Sequence, residues 1–159
     1  KVVALIEMTG REYEKMFGLY LGIVEEHLCE VADLIFITSG NMGSTAKVAV
    51  DELRKEGIKV GNLRIKVFRP FPFEIVRNIV KGAKKVAVVD RNISYGHHGM
   101  FFQEVKSAVF GQTNGIPIFG FITGLGGRDI TPSTFREIAQ YAQEKEKPEE
   151  NIVWIGVKK

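Results

Sequence analysis

Cysteine is almost absent from this chain: Cys29 is the only one in 159 residues. No internal disulfide can form, and the several thiolates that an iron-sulfur cluster or a zinc knuckle requires cannot come from this polypeptide. Excess charge of one sign is scarce as well. Lys plus Arg number 22 against 19 Asp plus Glu, for a formal net charge of +3, and the two signs are interleaved in "DELRKEG" and "QEKEKPEE". Such stretches are solvated faces, which argues against a nucleic-acid footprint. Long apolar runs are missing too. "DLIFIT" falls far short of the roughly 20 residues that cross a bilayer, and no charged start leads a signal-like segment. A cytoplasmic protein with no membrane and no nucleic-acid partner is expected. The first residue is Lys1 rather than methionine, and the expectation is a piece of a longer polypeptide.

What remains is an ordinary globular composition, 45% hydrophobic and 26% charged. A chain of this length suits one core that buries roughly 70% of the unfolded surface. From about Val31, short apolar runs alternate with amphipathic stretches, the pattern of α/β proteins. Four strand-to-helix units can be counted. In the first, "DLIFIT" leads to a helix with Ser44 as N-cap, Ala46, Ala49, Val50 and Leu53 on one face, and Gly57 just past the end. In the second, Pro70 holds Arg69 extended and ends the strand, Pro72 sits in the first turn of a helix, and Glu74 lies near its positive end. The third is "VAVVD" followed by a stripe of Phe101, Phe102, Val105, Ala108 and Val109. The fourth runs from "IPIFGFI" to a helix capped by Thr131, with Phe135, Ile138, Ala139 and Ala142 inward. Residues 1 to 30 lack a clean period and read as a linker with one short helix or an edge strand. The tail reads as a solvated hinge and a short strand anchored by Trp154.

Strands as apolar as "LIFI" and "VAVV" need both faces covered, so a parallel sheet between two helical layers is expected. Right-handed crossovers then gather Gly40 to Ser44, Arg69 to Pro72, Asp90 to Gly99 and Thr123 to Thr131 on one edge, where such sheets bind ligands or partners. "SGNMGST" supplies a candidate anion site at Gly40, Asn41, Gly43 and Ser44, against the alternative of a tight turn with a capping serine. His97 and His98 are adjacent, so their side chains diverge and suit a surface better than one metal. Arg69, Asp90, Arg91 and Arg128 form either an ion-pair lattice that fixes the loops or contacts for a partner. Gly124, Gly126 and Gly127, with Arg128 and Asp129, make a loop whose backbone only glycine adopts readily. Gly96 and Gly99 let the turn between Asp90 and the next helix lie close to a neighbour.

"GREY", "DELRKEGIKVGNLRIKVFRPFPFE", "VAVVDRNISYGHHGM" followed by "EV", "GLGGRDIT" and a final "IVWIGV" occur in the order expected of the C-terminal part of the alpha subunit of 2-oxoacid:ferredoxin oxidoreductases. The chain resembles these along nearly its whole length, the pyruvate enzymes most. The resemblance implies a three-layer αβα sandwich with a five-stranded, mostly parallel sheet and one antiparallel edge strand, the kind of domain that closes transketolases. It implies residues 1–30 as an extension from a preceding pyrimidine-binding domain and residues 31–159 as the closing domain. It implies a complex that oxidatively decarboxylates a 2-oxoacid with coenzyme A and reduces ferredoxin, using thiamine diphosphate, Mg and iron-sulfur clusters. The "GDG…N" motif for magnesium and diphosphate is absent here, as are the cluster cysteines. No catalytic or metal-binding residue therefore carries over, no cofactor is expected to bind this fragment, and its partners are the other domains and subunits. The alternatives are a stand-alone domain that binds an anion or a cofactor phosphate, and the closing domain of another thiamine-diphosphate enzyme.

Overall fold

The computed structural model describes residues 1–111 and 115–157. In chain order the elements are α1 (Val2–Phe17), β1 (Val24–His27), β2 (Leu34–Ser39), α2 (Met42–Lys55), β3 (Val60–Ile65), α3 (Phe73–Val80), β4 (Lys85–Asp90), α4 (Met100–Val109), β5 (Ile118–Ile122), α5 (Pro132–Glu144) and β6 (Val153–Trp154). A one-turn 3-10 helix, Leu125–Gly127, lies between β5 and α5. The strands form one sheet in the order β1-β3-β2-β4-β5-β6. β1 runs antiparallel to β3, and every other pair is parallel. The expected architecture is present with six strands instead of five.

Alternation along each strand divides the core. Phe36, Ala87, Val89, Phe119 and Phe121 face α2 and α5, where they meet Ala46, Leu53, Phe135 and Ile138. Ile35, Ile37, Val86 and Val88 face the other way, toward Val76, Phe102 and Val105 of α3 and α4. Each fully buried aromatic or branched side chain contributes roughly 1.5–3 kcal/mol, so two such layers hold the sheet from both sides. The helical stripes expected from the sequence are buried, Phe101 only in part.

Polar contacts tie elements together both within a layer and between a layer and the sheet. Arg136 of α5 forks onto Glu56 at the end of α2, with bonds of 2.6 and 2.8 Å. Lys85 Nζ donates to the carbonyls of Ala142 and Lys145, each at 2.7 Å, and so closes the C-terminal end of α5. Within the sheet, buried Thr38 donates its hydroxyl to Asn62 Oδ1 at 2.9 Å. Gly57, at φ 84°, ends α2 as expected, and Ile58 N–H reaches back to the carbonyl of Leu53.

Several local expectations are corrected. Ser44 does not cap α2. Gly40, at φ 56°, turns the chain so that Asn41 is already at the N-cap, and Ser44 N–H is taken by the carbonyl of Asn41. Pro72 precedes α3 instead of lying in its first turn. β3 stops at Ile65, well before Arg69, because the amides of Lys66 and Val67 both turn to the carbonyl of Ile23. In the tail Trp154 is 46% exposed, and Ile155, at 4%, is the anchor. Residues 1–30 hold both a helix and an edge strand. The helix is 16 residues long, with only Gly10 buried.

Candidate functional site

The parallel strands end on one edge at Ser39, Asp90 and Ile122, and the loops that leave them form a rim. β4 is central in the sheet, and α2 and α4 pack on opposite faces of it, so the rim has an α4 flank and an α2 flank.

On the α4 flank, Asp90 is 1% exposed. Its Oδ1 accepts the N–H of Phe101 and its Oδ2 the N–H of Phe102, both at 3.1 Å, while Asn92 Nδ2 donates to Oδ1 at 3.4 Å. The carboxylate therefore satisfies donors that the first turn of a helix leaves without partners. Burial pushes its pKa up to about 6, against these hydrogen bonds, which pull it down. Asn92 Oδ1 accepts the N–H of Met100 at 3.1 Å, so the next residue of the loop assists the cap. A Cβ on Gly99 would lie 2.1 Å from Asp90 Oδ2, which is why a side chain is excluded there.

The loop between them is folded on itself. Ser94 N–H donates to the carbonyl of His98 and His97 N–H to the carbonyl of Ser94, with Gly96 at φ 64° in the turn. The two histidines do not diverge as expected: their rings meet edge to face at 4.9 Å, and His98 packs in turn on Phe102 at 5.2 Å. Burial holds His98 below the usual imidazole pKa, with further lowering by His97 and Lys106. His97 Nδ1 lies 3.2 Å from Gln103 Nε2. Tyr95, at the tip, is fully exposed.

Arg69 belongs to this flank. Its guanidinium lies 3.9 Å from the centre of the Phe68 ring and donates to Glu104 of α4 at 2.7 Å. Of the two readings of Arg69, Asp90, Arg91 and Arg128, the ion-pair lattice is not what forms. Among the described residues Asp90 is met by backbone amides and Asn92, and Arg69 by Glu104.

On the α2 flank, Arg91 Nη1 donates to Asn41 Oδ1 at 3.2 Å, and Arg128 Nη1 to the carbonyl of Leu125 at 3.3 Å. A polar cavity of about 180 Å³ opens between Asn41, Met42, Thr45, Arg91, Arg128 and Asp129. Gly124, Gly126 and Gly127 take φ values of 71°, 68° and 79°, the left-handed region predicted for this loop. Of the other anion candidates, Gly43 is covered by the Arg64 side chain, and Ser44 lies exposed in α2. Tyr95, Asn92 and Glu104 escaped sequence reasoning. Tyr95 had a signal, a large aromatic between Ser94 and Gly96 in a turn with no periodic partner.

The donor set does not fit a metal or a cluster. Among the described residues no group of three His, Cys, Asp or Glu is placed to hold an ion. Cys29 is buried at the far side of the sheet, and burial pushes its thiol up to about 11.

The sheet and its two helical layers define the class first, an α/β domain with the transketolase type of fold. A chain of a split-gene transketolase, an inactive beta4 tetramer, superposes with a TM-score of 0.60 over 77% of this chain and 42% of its own, at 17% identity, a likeness of fold alone. Residues 32–135 match the family described as pyruvate:ferredoxin oxidoreductase core domain II, and the chain belongs to that family. The pyruvate synthase subunit PorA of Methanothermobacter thermautotrophicus is 42% identical over 154 residues, 97% of this chain and 38% of the relative. The ketoisovalerate oxidoreductase subunit VorA of Pyrococcus horikoshii is 39% identical over 160 residues, 98% of this chain and 40% of the relative. The chain thus spans about two fifths of the length of these curated relatives.

Proposed function

We propose that this chain is the non-catalytic assembly domain of a thiamine-diphosphate-dependent pyruvate or 2-oxoacid:ferredoxin oxidoreductase. The full complex decarboxylates a 2-oxoacid oxidatively, transfers the acyl group to coenzyme A and reduces ferredoxin in the cytoplasm. Thiamine diphosphate, Mg, the iron-sulfur clusters and coenzyme A are held by other domains and subunits. Relatives named as subunits of pyruvate synthase and ketoisovalerate oxidoreductase support this reading. Names of both kinds occur at similar identity, so the 2-oxoacid is set elsewhere in the complex.

The observation that carries the docking role is Tyr95: a fully exposed aromatic on a loop pinned at both ends by the Asp90 and Asn92 contacts. Exposed Tyr on a rigid support is a favourable interface anchor, because it contributes large contact area and loses little conformational freedom on binding. Arg69, Arg91, His97 and His98, with the loop from Gly124 to Asp129, complete the docking rim. Residues 1–30 serve as the extension from a preceding pyrimidine-binding domain. α1 leaves Leu5, Met8, Met16 and Phe17 more than half exposed, an apolar face suited to rest against that domain.

Co-expression with the remaining subunits, followed by size-exclusion chromatography, tests the assignment. The chain should co-elute with them, and Tyr95→Ala should weaken association about tenfold or more without loss of helical signal. Elution of the wild-type chain apart from the other subunits would overturn the assignment.

A further inference from the structure

We propose that the cavity between Asn41, Arg91 and Arg128 is a binding site for a phosphate-class oxyanion. Two guanidinium groups from different loops line one polar cavity of about 180 Å³. Each spends one N–H on a local anchor, Arg91 on Asn41 and Arg128 on the Leu125 carbonyl, and the planar head of each has four further N–H groups. Neither has a carboxylate within ion-pairing distance among the described residues, although Arg69, Arg77 and Arg136 all do. Asp129 also lines the cavity, leaving one net positive charge from its side chains.

The site is held before any ligand arrives. Arg91 lies across Gly124, where a Cβ would come 3.1 Å from its Nε and 2.6 Å from Ile130 Cδ1. A side chain at that position would collide with Ile130 and crowd the guanidinium. Met42 and Thr45, from the first turns of α2, also line the cavity, so the positive end of the helix dipole adds to the field. The volume is several times the ~30 Å³ share of one water, enough for a tetrahedral oxyanion with part of its hydration. Two forks approaching from separate loops suit an anion with three or four oxygens better than a single carboxylate. The site lies wholly within this chain; it shares Arg91 and Arg128 with the proposed docking rim, and the titration below reads it in the separated chain, where that rim is uncovered.

The test is a titration of the chain with inorganic phosphate, followed by amide chemical shifts at constant ionic strength with chloride as the balancing anion. Saturable shifts confined to residues 41–45 and 127–130 are expected. Arg91→Gln and Arg128→Gln should each weaken binding about tenfold, Lys55→Gln at the far end of α2 should not, and Asp129→Asn should tighten it severalfold. Adenosine 5′-monophosphate forms a second arm. Tighter binding than phosphate identifies a nucleotide phosphate as the ligand, and equal binding identifies free phosphate. Shifts no larger than those from chloride, or folded Arg91→Gln and Asp129→Asn proteins that bind as the wild type does, would overturn the proposal.

Discussion

The two flanks of the rim solve one problem in opposite ways. Helices α2 and α4 both start where a central strand ends, and both leave backbone N–H groups at that end. At α4 the chain supplies its own anion, the buried carboxylate of Asp90, and a glycine at position 99 makes room for it. At α2 no side chain caps the helix, and the cavity beside it is lined by two arginines and one carboxylate, Asp129. One flank is closed by internal contacts and hence rigid. The other keeps its positive groups available.

The most damaging way to break this contrast is Gly99→Ala. Its methyl would collide with the Asp90 carboxylate, and overpacking together with loss of the cap should cost about 3 kcal/mol in urea denaturation. A loss below about 1 kcal/mol would show that the α4 flank yields easily. Next comes Asp90 itself. Its pKa is raised on folding to about 6 from 3.8. The folded state therefore binds its proton more tightly, and the group's contribution to stability is full below pH ~4 and is lost as pH rises through ~6. Wild type should lose roughly 2–3 kcal/mol relative to Asp90→Asn between pH 4 and 7. Equal pH profiles for the two proteins would remove burial as the dominant influence on this carboxylate.

Arg69→Ala should cost the separated chain no more than about 1 kcal/mol, since the Arg69 side chain is itself 55% exposed, yet it should weaken assembly with the other subunits. Equal loss in both measurements would count against an interface role. The smallest effect belongs to the uncapped flank: Asn41→Ala should change stability by a few tenths of a kcal/mol, against about 1 kcal/mol for a working N-cap. A larger loss would mean that α2 is capped after all.

The parts of this molecule legible in its sequence are those governed by local period. Ala46, Leu53, Val105, Phe135 and Ile138 repeat at helical spacing beside apolar strands, and all are buried. Thr131 was legible for a similar reason, as its N–H pairs with the Thr134 hydroxyl three residues on. For Asp90 the sequence suggests only an ion pair or a partner contact. Its role as a helix cap depends on an eleven-residue return to Phe101, which no short window contains. The full length of α1 is not legible because Gly10 interrupts its middle and the apolar residues around it stay largely exposed, so no buried stripe marks its ends. Trp154 was mistaken for an anchor on size alone, whereas β6 pairs through only two residues and turns the smaller Ile155 inward.

The buried hydroxyl-to-amide bond between Thr38 and Asn62 reaches beyond its own modest energy. Their strands pair with Phe36 opposite Asn62 and Thr38 opposite Arg64, so the two polar groups meet diagonally on one face. If β2 slid by a single residue against β3, they would point to opposite sides of the sheet, each stranded in hydrocarbon. The pair thus acts as a proofreading mark, penalising a misaligned sheet while the chain is still choosing how to assemble.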